Sequence, residues 1–253
     1  MLNILLSRLR QGYRTNNYPL EAPDLPLRYR GLPKFVSDSC TKGCARCVST
    51  CPTKAISKRK GVAFDLGKCL FCTTCIETCP SNAISFSRDY RLAVRERASL
   101  KLKPDRAFET ARPLEGLLYK LFSKSFSIRV VSAGGCNGCE VDVNVLQTIG
   151  WDINRFGIDF VASPRHADAI LVCGPVTRNM KLALQKTIDA APDPKILIAL
   201  GACAISGGIY AGMPEQCGGC DGTKLAADLY IPGCPPHPLT VLDGLLRLLG
   251  KVE

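Results

Sequence analysis

Along the second half of the chain, apolar residues fall in short blocks divided by stretches of longer period. Residues 127–133 (SIRVVSA), 158–162 (IDFVA), 168–174 (DAILVCG), 195–201 (KILIALG) and 228–233 (DLYIPG) are brief apolar runs, the pattern of buried strands. Residues 178–191 and 237–250 instead repeat their apolar positions at helical spacing, and a further helix is expected from Glu140. Strands alternating with helices predict a parallel sheet with helices on both faces over residues 127–253. Ligands of such sheets collect at the carboxyl ends of the strands.

The first half is patterned more loosely. Residues 1–12 (MLNILLSRLRQG) join a short apolar patch to basic residues, which suits a small amphipathic helix docked on something, not an export signal. A proline-rich, charged stretch follows and completes an extended lead-in over 1–35. Residues 36–88 repeat internally: CPTKAIS at Cys51 matches CPSNAIS at Cys79, each a turn leading into a short strand. Residues 89–126 are expected to be a basic linker, helical from Arg91 to Leu100, and then an amphipathic helix behind Pro113. In that helix Leu114, Leu117, Leu118, Leu121 and Phe122 share a face flanked by Lys120 and Lys124; the face either buries on its own domain or docks on a membrane-bound partner. The expected fold class is α/β: a ferredoxin-like α+β module, a basic linker, and a doubly wound, flavodoxin-like domain.

Fifteen cysteines in 253 residues change the picture. Without an export signal, a disulfide framework is a poor explanation, and a reducing compartment a better one. Cys69, Cys72, Cys75 and Cys79, followed by Pro80, have the bacterial ferredoxin spacing, in which the fourth thiolate serves the other cube. Cys40, Cys44, Cys47 and Cys51, followed by Pro52, repeat it with a first gap one residue longer. The predicted quartets are therefore Cys40, Cys44, Cys47 and Cys79 around one 4Fe–4S cluster, and Cys69, Cys72, Cys75 and Cys51 around another. Zinc favours two CxxC pairs brought together, a different pattern.

Four further cysteines sit just beyond predicted strands: Cys136 and Cys139 after the first, Cys203 after 195–201, Cys234 after 228–233. One sheet edge would gather all four, as a third 4Fe–4S cluster requires, with Gly134, Gly135, Gly138, Gly201 and Gly233 letting the backbone approach it. Cys173 reads as a small buried residue. Cys217 and Cys220 form a CGGC in a glycine-rich loop, a labile dithiol or half a zinc site, and receive no metal.

At GGCNGCE, SPRHAD, GPVTRNM, GACAISGG and IPGCPPHP the chain resembles the small subunit of membrane-bound, group 4 nickel–iron hydrogenases of the formate hydrogenlyase and hydrogenase-4 type. These are related to the 20 kDa subunit of respiratory complex I. The resemblance covers about residues 113–250. The first hundred residues, with NYPLE, RGLP and the double cysteine run, resemble the separate polyferredoxin subunit of the same complexes, so the chain looks like a fusion of two electron-transfer subunits. Complex I subunits carry two adjacent cysteines where this chain has Cys136 and Cys139 separated by Asn137 and Gly138, which is the hydrogenase pattern.

The resemblance implies that Cys136, Cys139, Cys203 and Cys234 hold the proximal cluster beside a nickel–iron site carried by a partner large subunit, whose ligands are not found here. It also implies three clusters relaying electrons from a formate dehydrogenase or ferredoxin-type donor. The other implied partners are membrane antiporter-like, complex I-like subunits, and the expected location is peripheral, on the cytoplasmic face of the cytoplasmic membrane. Glu140, one residue after a ligand, is the candidate proton-transfer or cluster-tuning carboxylate, with Asp142 behind it. A helix-terminal acid is the plainer account of it. His166 and His237 read as structural or interface residues.

The formal net charge of +11 would ordinarily suggest nucleic acid, an anionic lipid or an acidic partner. The basic stretch 88–106 lacks the interleaved aromatics of a single-strand groove, so no nucleic-acid partner is expected.

Overall fold

The structure, a computed structural model, describes residues 2–36, 39–41, 43–58, 62–103 and 107–252. Arg106, at the end of the expected basic stretch, lies outside the described residues. The chain opens with helix α1 (Leu2–Gln11), which has no buried residue. Strand β1 (Pro33–Phe35) and helix α2 (Arg46–Thr50) lead into β2 (Ile56–Ser57), β3 (Ala63–Asp65), helix α3 (Thr74–Glu77) and β4 (Ile84–Phe86). The two CP-x-x-AI turns run into β2 and β4. The hydroxyls of Thr50 and Thr78, at the ends of α2 and α3, bond each other at 3.2 Å between the two halves.

The sheets of this module are small. β1 pairs antiparallel with β4, and β3 lies between β2 and a fifth strand, β5 (Lys101–Leu102). That strand comes from the expected linker, and here expectation is corrected. Residues 91–100 are not an α-helix; only Arg97–Leu100 form a 3-10 turn. Leu92, Ala93 and Val94 are fully buried, and Val94 exchanges backbone hydrogen bonds with Tyr230 at 3.0 and 2.8 Å. An apolar segment beside an open sheet edge gains more from pairing its amides there than from a solvated helix. Consequently Leu66 and Phe71 of the module, Leu92, Val94 and Leu100 of the connection, and Ile205 and Tyr230 of the second domain share one core.

Helix α4 (Gly116–Phe122) is shorter than its apolar repeat suggests and buries Phe122, with Leu114 buried just ahead of it, while Leu117 and Leu121 stay exposed. The second domain then follows the expected alternation: β6 (Phe126–Ser132), α5 (Gly138–Val145), β7 (Ile158–Phe160), β8 (Ala169–Cys173), α6 (Arg178–Ala190), β9 (Ile196–Leu200), α7 (Gly201–Ser206), α8 (Gly219–Thr223), β10 (Leu229–Ile231) and α9 (Pro238–Leu248). All five strands are parallel, in the order β10–β9–β8–β6–β7. This is the flavodoxin-like winding, with its reversal between β6 and β8. Every residue of α9 is buried, Asp243 and Arg247 included; Arg247 donates to Asp243, and the Tyr18 hydroxyl donates to the same carboxylate at 2.7 Å. Through Tyr18 the extended lead-in straps itself to the second domain.

Candidate iron–sulfur centres

The structure brings the predicted thiols together in three groups. Cys47 lies within electrostatic reach of Cys40, Cys79 and Cys44, and burial with their nearness raises its pKa. Cys69 senses Cys75, Cys51 and Cys72, and burial pushes it up to about 12. The walls of one small cavity contain that same quartet, Cys51, Cys69, Cys72 and Cys75, with Ile56, Phe64 and Phe86. In the second domain Cys139 lies among Glu140, Cys203, Cys234 and Cys136, again raised chiefly by burial, and Cys203 is pushed up to about 11. Among the described residues, no three His, Cys, Asp or Glu side chains are placed to hold a single metal ion.

Local backbone prepares each group. Ala55 donates its N–H to Cys51 Sγ at 3.2 Å and Ala83 to Cys79 Sγ at 3.3 Å; Phe71 donates to Cys69 Sγ at 3.4 Å. Burial would raise the half-buried Cys79, but the Ala83 amide, the Ser81 hydroxyl and the amides of Ser81 and Ile84 together hold it below its ordinary value. Amides aimed at sulfur stabilise thiolate ligands. In the second domain the fit is steric. A Cβ on Gly201 would sit 2.7 Å from Cys139 Sγ, and one on Gly208 2.7 Å from Cys203 Sγ. Gly201 also has φ of +87°, so the turn off β9 can pass the sulfur only without a side chain. Sulfurs from three strand ends, with side-chain-free backbone beside two of them, fit a cube with four thiolate corners.

The three groups are contiguous. Cys75 senses Cys47 across the module, and Cys234 senses Cys72 across the boundary between domains. A cavity of about 390 Å³ lies at that boundary, lined by Arg30, Phe71, Cys72, Asp142, Cys234 and His237 among others. Sequence reasoning gave no sign of the Cys72–Cys234 approach. It also missed Arg97, whose guanidinium donates to Asp65 of the module at 2.8 and 2.9 Å and to Asp221 of α8 at 3.0 Å.

The other expected residues are placed as follows. Glu140 is 9% exposed in the first turn of α5, and among the described residues its Oε1 has no hydrogen-bond partner. Asp142 has its pKa raised by burial. His237 caps α9, its Nδ1 accepting from Leu239 N–H at 3.1 Å, and it packs edge-on against Tyr29 and Trp151. His166 is exposed in a 3-10 turn. Cys173 is buried at the end of β8. Cys217 is half-buried against one apolar cluster, and Cys220, 2% exposed, lies in another.

Comparison with known proteins agrees with this geometry. Residues 39–83 match a 4Fe–4S dicluster domain, and residues 136–248 match the 20 kDa subunit of NADH ubiquinone oxidoreductase. A probable membrane-bound hydrogenase subunit of Pyrococcus furiosus is 38% identical over 135 residues, which are 53% of this chain and 80% of that protein. The chain belongs to the 20 kDa subunit family. Formate hydrogenlyase subunit 7 of Escherichia coli is 42% identical over 145 residues, 57% of this chain but only 56% of the relative's own length. An NADH-quinone oxidoreductase subunit of Citrifermentans bemidjiense is 41% identical over 120 residues, covering 45% of this chain and 66% of that protein. Within this family member, the residues matched by the family model contain all four thiols of the second-domain group. Among the described residues, no helix is long and apolar enough to cross a membrane.

Proposed function

We propose that this chain is the electron-transfer subunit of a membrane-bound nickel–iron hydrogenase, relaying electrons between a formate dehydrogenase or ferredoxin-type donor and the nickel–iron site of a partner large subunit. Cys40, Cys44, Cys47 and Cys79 hold an outer 4Fe–4S cube, Cys51, Cys69, Cys72 and Cys75 an inner one, and Cys136, Cys139, Cys203 and Cys234 a third. When bound, such cubes supply one-electron redox chemistry at potentials tuned by their surroundings. The protein's part is to space the thiols, aim amides at them and exclude water. The carrying observation is the contiguity of the groups, Cys47 by Cys75 and Cys72 by Cys234. It supports one continuous path across two domains, with the inner cube in the middle.

The four segments 1–35, 36–88, 89–126 and 127–253 then act as membrane-side lead-in, two-cube module, joint and proximal-cube domain. The exposed apolar residues of α1 (Leu2, Leu5, Leu6 and Leu9), with Arg8 and Arg10, support a peripheral position on the cytoplasmic face, beside antiporter-like membrane subunits. The quinone oxidoreductase relative favours a second reading, an electron-transfer module for a quinone. Hydrogen turnover by the isolated complex supports the first reading, and quinone reduction without it the second.

Iron analysis of anaerobically purified protein tests the wiring. We expect about twelve irons per chain, and about eight in Cys234→Ser with the module's spectroscopic signals intact. Protein that binds no iron, or a variant that loses all three centres together, would sink the reading.

A further inference from the structure

The two halves of the cysteine module are copies, and the place where they differ is informative. Residues 51–58 read CPTKAISK and residues 79–86 read CPSNAISF, so Ala55 corresponds to Ala83, Ile56 to Ile84 and Lys58 to Phe86. The correspondence holds in detail: Ala55 and Ala83 make the same amide-to-sulfur bond, and the hydroxyls of Thr53 and Ser81 lie 3.9 and 3.8 Å from Cys51 and Cys79 Sγ. At the last position it breaks. The half-buried Lys58 donates from Nζ to Cys40 Sγ at 3.5 Å and to the Cys44 carbonyl. Phe86 packs against Phe71, ring centroids 5.8 Å apart, in the wall of the cavity around Cys51, Cys69, Cys72 and Cys75. A cation does approach that inner group, but Arg30 donates to the Phe71 carbonyl at 2.8 Å, and among the described residues no bond from it to sulfur is formed.

We infer that Lys58 sets the reduction potential of the outer cube, holding a positive charge on one of its thiolate ligands where the symmetric copy places an aromatic ring. This rests on the reading that Cys40, Cys44, Cys47 and Cys79 hold a cube. Reduction adds one negative charge to the cluster, and a fixed ammonium bonded to a ligand sulfur stabilises the reduced form over the oxidised one. Among the described residues the Lys58 ammonium bonds only to Cys40 and Cys44 of the outer group, so its effect is largest there. The outer cube is thereby made the easier to reduce relative to its Lys58-free form, which suits the station that first meets a one-electron donor.

The test is a potentiometric titration of the whole loaded protein, followed by electron paramagnetic resonance, with iron counted in parallel. Lys58→Met should shift one centre negative, changing its ratio of reduced to oxidised form at a fixed potential about tenfold, or about 59 mV for one electron. The other two centres should stay in place, and Lys58→Arg should restore the native value. Full iron with an unmoved potential in Lys58→Met overturns the inference while leaving the cube assignment standing. No iron in the native protein would overturn that assignment instead. If Lys58→Met fails to load the outer cube, Lys58→Gln, which keeps a donor for the Cys44 carbonyl but no charge, decides: a negative shift supports the inference and an unmoved potential refutes it.

Discussion

In the amino-terminal module all eight thiols come from one stretch, Cys40 to Cys79, and the spacing within each run already dictates which sulfurs meet. The carboxyl-terminal quartet is drawn from three strand ends, Cys136 and Cys139 after β6, Cys203 after β9 and Cys234 after β10, and nothing joins them until the sheet is wound. The first region is local and duplicated; the second is global and single. Tolerance should therefore differ. A local loop can shift as a unit with its cluster, while a site assembled from distant strands is exposed to any change in how those strands register.

Paired glycine substitutions break that comparison most sharply. Gly201→Ala puts a Cβ 2.7 Å from Cys139 Sγ at a left-handed φ of +87°, so the third cube should fail to load, removing roughly a third of the iron. Gly43→Ala in the outer loop also has positive φ, +77°, but among the described residues, its chain neighbours apart, nothing lies within 4 Å of its Cβ. It should cost only the backbone strain, about 1 kcal/mol, and keep its iron. Full iron in Gly201→Ala would refute the steric account.

A smaller effect is expected at the joint. Arg97 is 19% exposed and clamps Asp65 of the module to Asp221 of the second domain. Arg97→Ala should lower stability by about 2 kcal/mol, less than a fully buried pair because solvent screens part of it. Denaturant unfolding followed at both iron absorption and tryptophan fluorescence should then show two transitions where the native protein shows one. A single, unshifted transition would mean that the shared apolar core alone couples the regions.

The smallest effect concerns pH. Burial lowers the pKa of His237, and its unprotonated Nδ1 caps α9. The unfolded chain therefore takes up this proton first as pH falls below about 6.5. The residue's stability contribution is complete above that pH and declines until the folded state protonates as well. His237→Asn keeps a capping oxygen without the titration and should flatten the acid side of the thermal stability profile. An unchanged slope would assign the acid sensitivity elsewhere.

Much of the site was legible because thiolate spacing within a loop is a short-range constraint. Strands β8 to β10 were equally legible, since burial on both faces demands nearly continuous apolar runs. The connection was misread. Residues 91–100 carry apolar and basic residues in a mixture that fits a helix, yet Val94 pairs with Tyr230 and Lys101–Leu102 join β3. Which of two backbone pairings wins there depends on an open sheet edge that no local pattern encodes. Arg97 was invisible for the same reason, its two carboxylate partners lying far away along the chain.

By itself, the order of residues determined which thiols belong to the duplicated module and which strands make the sheet, because both follow from contacts over a few residues. Only the tertiary structure decided that Cys72 faces Cys234, that the connection is core and not tether, and that Lys58 and Phe86 give two copies of one turn different charges beside their sulfurs. These depend on where separate segments come to rest against one another, and that is set by the burial of shared apolar surface, not by spacing along the chain.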